Sequence, residues 1–209
     1  EVIVIDNECS SDGNFYFNDD AEYYDYDIRD EEATRPLYEG VDYVFHLAAE
    51  ARIQPAIQNP IQAVSINSVG TCTVLQLARE SGVKRVIYSS TSSGYGMNEP
   101  PNVECQPDDC LNPYSVSKVN GEKLCKMYTD LFGLETIIFR YFNVYGTGQT
   151  AGVIEQFLRN LKELKSPIIN GNGEQLRDFI HVEDVARANL VAMESQIKNG
   201  FFNIGTGRA

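Results

Sequence analysis

No stretch of about 18 consecutive apolar residues occurs in this 209-residue chain, so no helix is expected to cross a membrane. No basic segment leads into an apolar core near the start, so no secretory leader is expected. Histidine is scarce. His46 and His181 are the only two, and neither stands at ligand spacing from a cysteine, so no metal site is expected. The five cysteines (Cys9, Cys72, Cys105, Cys110 and Cys125) are odd in number and form no C-x-x-C pair, which reads as free thiols in a reducing cytoplasm. Positive charge is also in short supply. Seventeen Lys and Arg stand against 30 Asp and Glu, a net charge of −13, which lacks the basic footprint that nucleic-acid binding needs. An anionic substrate would have to be met by local cations against this background.

What is present is an ordinary globular composition, 43% apolar and 22% charged, of a length that suits one sizeable domain or one plus part of another. Part of the acid surplus crowds residues 19–32 and reads as a solvated surface. Residues 2–5 form a β-branched run that ends in Asp6-Asn7, the pattern of a buried parallel strand. Further strands are expected over 21–27, 42–49, 83–90, 134–140, 167–173, 175–182 and 201–207. Helical spacing marks 61–81, with Gly82 as its C-terminal stop, then 112–132, 153–164 and 184–193. Residues 97–111 carry three prolines and no periodicity, and read as loop. The alternation of strands and helices predicts βαβ units and a parallel sheet, an α/β fold. The alternation weakens near Gly146, the best place for a boundary.

The most informative stretch runs from Ser89 to Lys118. Tyr114 and Lys118 are four apart, so on a helix they share a face. A tyrosine is a poor base at neutral pH, but a lysine cation within a few ångströms favours the phenolate. Such a pair can accept a proton, with the Thr91 hydroxyl sharing it and orienting a substrate alcohol. The same spacing on a solvated helix face would mean nothing, so the surroundings decide. An acid at the end of the first strand, Asp6, is where a dinucleotide-binding fold holds ribose hydroxyls. Small residues after His46 would let a flat cofactor approach the backbone. Such a fold normally opens with a strand and a G-x-x-G-x-x-G-like turn that seats a pyrophosphate, and this sequence has none. Residues 2–5 are then expected to be the second strand of a sheet whose first is absent, in a sequence that is a piece of a longer one or omits segments.

Taken together, the motifs resemble the extended short-chain dehydrogenase/reductase family, specifically its nucleotide-sugar epimerases and dehydratases. The resemblance rests on Asp6-Asn7 and Asp27-Ile28 at strand ends, His46-Leu47-Ala48-Ala49, and Asn67-x-x-Gly70-Thr71. It continues through Ser89-Ser90-Thr91 with Gly94-Tyr95-Gly96, Pro113-Tyr114-x-x-x-Lys118, the block from Arg140 to Gly146, and Arg177 to Val182. It implies a Rossmann-like doubly wound parallel sheet over residues 1–146, lacking its first βα unit. A smaller, partial substrate-binding region would cover 147–209, with 174–193 packing back on the first part. By resemblance NAD is the cofactor, and Thr91, Tyr114 and Lys118 are catalytic. Asp6, Asn7, Asp27, Ile28, Leu47, Ala48, Ala49, Asn67, Ser89 and Phe142, with Tyr114 and Lys118, would contact the cofactor. Thr91, Ser92, Asn143 and Arg177 would meet a UDP-sugar substrate. The resembling 4,6-dehydratases carry Asp-Glu directly after the catalytic Thr. Here Ser92 and Ser93 stand there, which favours 4-epimerisation over dehydration or reduction. A non-catalytic NAD-binding scaffold is the alternative of a different class. Family members pair through two helices, so a homodimer through 61–81 and 112–132 is expected.

Overall fold

Arg85–Thr91 is buried at every position, as a strand covered on both faces of a parallel sheet must be. In the computed structural model, which describes residues 1–9 and 16–208, this strand (β4) lies inside a four-stranded sheet. Its neighbours are β3 (Tyr43–His46) and β5 (Glu135–Tyr141), and β5 pairs in turn with β8 (Gly200–Ile204). All three pairings are parallel, with Val86 opposite Val44 and Thr91 opposite Tyr141. Two further parallel pairs stand apart: β1 (Ile3–Ile5) with β2 (Glu22–Tyr24), and β6 (Asn143–Tyr145) with β7 (Phe179–His181).

The sheet is therefore divided between β1 and β3. Among the described residues β1 pairs only with β2, and β3 only with β4. Ile5 and Val44 nevertheless pack against the same apolar cluster, so both strands border one core. This agrees with the expected sheet that lacks a strand beside residues 2–5.

Side chains alternate across β4 and β5 and build two cores. Val86, Tyr88 and Ile138 face Leu75, Leu77 and Ala78 of α4 (Thr71–Glu80) and Cys125 and Tyr128 of α5 (Pro113–Phe132). Ile87, Ile137 and Phe139 face the other way, toward Ala192 of α7 (Val182–Glu194). Arg85 holds that helix down, donating to the Ser195 carbonyl at 3.1 Å and to Glu135 at 2.7 Å.

Helix α5 starts and stops where its sequence directs. Asn112 and Ser115 form a capping box, Pro113 takes the first turn, and Gly133 ends the helix at φ 74°. A methyl group on Gly121 would stand 2.1 Å from the Tyr88 hydroxyl. Glycine there lets the helix approach the sheet closely enough for Tyr88 to donate to the Lys118 carbonyl at 3.0 Å.

Several elements depart from the periodicity. Residues 61–81 are not one helix. They comprise most of α3 (Pro60–Val64), a π-turn over Ser65–Gly70, and α4. Two short helices, α1 (Glu31–Thr34) and α2 (Ile53–Gln58), have no counterpart in the pattern. Residues 167–173 form no strand, because the chain turns at Gly171 and Gly173 with φ 92° and 80° and no partner strand lies alongside. Of 175–182 only β7 is extended in a ladder. Helix α6 (Val153–Lys162) forms where expected.

Candidate active site

Tyr114, Lys118 and Glu122 follow one another at single-turn spacing along α5. The Thr91 hydroxyl, at the C-terminal end of β4, accepts from the Ser93 amide at 3.1 Å and lies beside the Tyr114 phenol. Thr91 and Tyr114 thus meet. One expectation needs correction. Burial raises the Tyr114 pKa above its ordinary value, the Thr91 hydroxyl opposes this, and Lys118 does not enter the balance. The Lys118 ammonium sits 4.4 Å from the centre of the Tyr88 ring, and only 3% of the residue is exposed. Among the described residues it makes no ion pair.

Burial also acts on Lys118, lowering its pKa from 10.5 to about 8. Between those values the unfolded chain holds a proton on this lysine that the folded chain has released, so stability rises with pH across the window. The sum is about 3 kcal/mol. Denaturation of the nucleotide-free protein should show that rise between pH 8 and 10.5 when compared with Lys118→Met, which lacks the titrating group. Parallel profiles for the two proteins would contradict the burial of an uncompensated ammonium.

Below Lys118 lies a pair that the sequence reading missed. Glu122 accepts from the Ser90 hydroxyl and from Arg140 Nε and Nη2 at 2.8 and 2.7 Å. Arg140 is stacked between the rings of Tyr95 and Phe201, 4.5 and 4.7 Å from their centres, and also holds Asp108 of the 97–111 loop. The one available signal was the position of Glu122, four residues past Lys118 on the same face.

Asn67 is buried, with every polar atom engaged. Its Oδ1 accepts from the Glu50 amide at 2.7 Å, and its Nδ2 donates to the Glu50 carbonyl at 3.0 Å and Ser117 Oγ at 2.9 Å. It clamps the loop after β3 to the helix that carries Lys118. The π-turn places it there, a distortion common near functional sites. His46 shares this region. The Thr71 hydroxyl donates to the Asn67 carbonyl at 2.6 Å, so it accepts from His46 Nε2–H at 2.8 Å. Burial, with the Lys118 charge adding to it, lowers the His46 pKa to about 3 and keeps the ring neutral.

The strand ends expected at the cofactor converge. Asp6, Asp27 and Glu50 all lie close enough to raise the Cys9 thiol pKa, though burial contributes most. Asn7 reaches Asp27 at 3.4 Å, and Arg29 grips the Asp27 carboxylate with two donors, at 2.9 and 2.6 Å. Ile28 packs over Gly70 in the π-turn. Leu47 is 60% exposed, with Ala48 and Ala49 half-buried beside it. Ser89 is turned away: its hydroxyl lies 3.2 Å from that of Tyr141, which also accepts from Asn189 of α7. A side-chain contact between Ser89 and a cofactor on the α5 side is not what this geometry provides.

Beyond Thr91 opens a cavity of about 830 Å³. Its wall begins at Ser92 and Ser93 and includes Phe142, Asn143, Arg177, Asp178 and Arg208. Thr91, Tyr114 and Lys118 are not part of that wall, although Ser92 and Asn112, close to Thr91 and Tyr114 in the chain, are. Asn143 donates through Nδ2 to the Asp178 carbonyl at 2.9 Å. Arg177 is exposed, donates only to its neighbour's carbonyl, and forms no ion pair among the described residues.

The sequence matches the NAD dependent epimerase/dehydratase family over residues 1–205. The chain belongs to that family. The UDP-glucose 4-epimerase of Thermotoga maritima, whose structure contains UDP-glucose, superposes on this family member with a TM-score of 0.92 and 36% identity, over 99% of this chain and 69% of that one. The UDP-N-acetylglucosamine 4-epimerase of Methanobrevibacter ruminantium gives 0.89 and 31%, over 98% and 68%. A UDP-glucuronate 4-epimerase of Thermodesulfobacterium geofontis is 34% identical over 97% of this chain and 62% of its own length. The chain thus spans between 62% and 69% of these three proteins.

NAD is the cofactor of the family, and the residues present in this member fit its nicotinamide and ribose end. A buried ammonium without a carboxylate partner, Lys118, is what a pair of ribose hydroxyls would answer. Small residues, Ala48 and Ala49, leave the end of β3 open to a flat ring.

Proposed function

We propose that this family member inverts the configuration at C4 of a UDP-hexose, either glucose/galactose or their N-acetylated forms. What carries the reading is the meeting of the Thr91 hydroxyl with the Tyr114 phenol at the end of β4, with the Lys118 ammonium one helical turn on. NAD, when bound, takes up and returns the C4 hydride. Tyr114 takes the proton of the C4 hydroxyl on its phenolic oxygen and gives it back to the opposite face's product. Thr91 orients that hydroxyl. Lys118 supplies a donor to ribose. Asn143 and Arg177 meet the nucleotide half of the substrate, and Ser92 bonds the sugar. Neither Ser92 nor Ser93 offers an acid near pH 7, which favours epimerisation over loss of water. Residues 1–146 serve NAD and 147–209 the substrate. The exposed apolar side chains of Ile61, Val69 and Leu131 support pairing of two copies, and the free thiols support a cytoplasmic setting.

Incubation with UDP-galactose or UDP-GlcNAc and NAD should yield the C4 epimer by NMR. A product lighter by one water would replace epimerase with dehydratase. Absence of any turnover alongside tight NAD binding would favour the scaffold.

A further inference from the structure

We infer that Arg208 is the second cation for the substrate's diphosphate, and that Asp178 is the positioning residue that sets it beside Arg177. This rests on the nucleotide-sugar reading of the same cavity and names how its anionic part is held.

Four charged side chains line the cavity: Arg177, Arg208, Glu104 and Asp178. The two acids are already engaged with backbone. Glu104 accepts from the Asn203 amide at 2.8 Å. Asp178 accepts from the Thr206 amide at 2.8 Å, the Thr206 hydroxyl at 2.7 Å and the Gly207 amide at 2.7 Å. Burial works against the Asp178 carboxylate, but these donors outweigh it and hold its pKa below the ordinary value. Of the two guanidinium groups, Arg177 donates only to the Leu176 carbonyl, at 2.7 Å. Neither Arg177 nor Arg208 forms an ion pair among the described residues.

One residue joins the three segments involved. The Asp178 carbonyl accepts from both the amide and the side chain of Asn143, at 3.0 and 2.9 Å, which fixes the start of β6. Its carboxylate fixes the turn after β8, and Arg177 precedes it directly. Gly205 permits the approach, since a methyl group there would lie 2.8 Å from Asp178 Oδ2. In a chain of net charge −13, a diphosphate needs such a local pair of cations. A guanidinium offers two donors in the plane that phosphate oxygens accept.

The test is UDP binding by calorimetry. Arg208→Gln should weaken UDP about tenfold and flatten its salt dependence. Asp178→Asn places an amide N–H against a backbone donor, opens the turn, and should weaken UDP to a similar degree. The double variant should be no weaker than either single one, because both lose the same contact. A merely structural role for Asp178 would make the losses add, and that result overturns the coupling. An Arg208→Gln variant that binds UDP as the wild type does overturns the inference alone. A wild type that ignores UDP overturns the nucleotide-sugar reading and the inference together.

Discussion

Tyr114→Phe should lower the epimerisation rate about a thousandfold while leaving UDP affinity within about twofold, since general acid–base groups contribute about 10²–10⁴. Removing the phenolic oxygen removes the atom that carries the proton. Thr91 cannot replace it, because an aliphatic hydroxyl ionises far above neutral pH and this one already accepts from the Ser93 amide at 3.1 Å. The ring itself stays, so the packing at the start of α5 is kept. Single-turnover measurement separates the chemical step from binding. A variant retaining more than a tenth of the wild-type rate would take Tyr114 out of the mechanism.

Arg140→Met should cost about 3–5 kcal/mol of folding stability, the usual penalty for leaving a buried charge without its partner. Glu122 is only 7% exposed and would keep the Ser90 hydroxyl as its remaining donor among the described residues. Arg140→Met/Glu122→Gln should recover much of that loss, because a buried ion pair is often worth little against a neutral pair of similar volume. Urea denaturation of the three proteins decides it. A loss below about 1 kcal/mol for the single variant would mean that water or a rearranged loop meets Glu122 instead. The loop is the weaker partner in any case. Arg140 also holds Asp108, so the single variant frees the wall formed by Pro100, Pro101 and Asn102.

The parallel strands were legible because burial on both faces leaves a short β-branched and aromatic centre, as at Val86-Ile87-Tyr88 and Ile137-Ile138-Phe139. The Tyr114–Lys118 pair was legible because its spacing is local and helical. Periodicity could not register the π-turn at Ser65–Gly70, since one extra residue per turn shifts the apolar face only slightly. Nor could it exclude a strand at 167–173, where the decision rests on the absence of a neighbour rather than on the residues. The Glu122–Arg140 pair joins a helix and a strand 18 residues apart, so neither residue announces the other. Asp178 was passed over for a different reason. Its partners are mostly backbone N–H groups, which every residue but proline carries and no side-chain pattern reveals. Asn67 was legible from its motif, but its bonds to Glu50 and Ser117 were not, because a motif gives the residue and not the direction of its amide.

The interrupted sheet has a mechanical consequence. Strands β4 and β5 are each held on two sides, whereas β1 and β3 are each held on one. Local opening should therefore reach β4, buried at every position, late. Thr91 hangs from the ladder that opens last, opposite Tyr141.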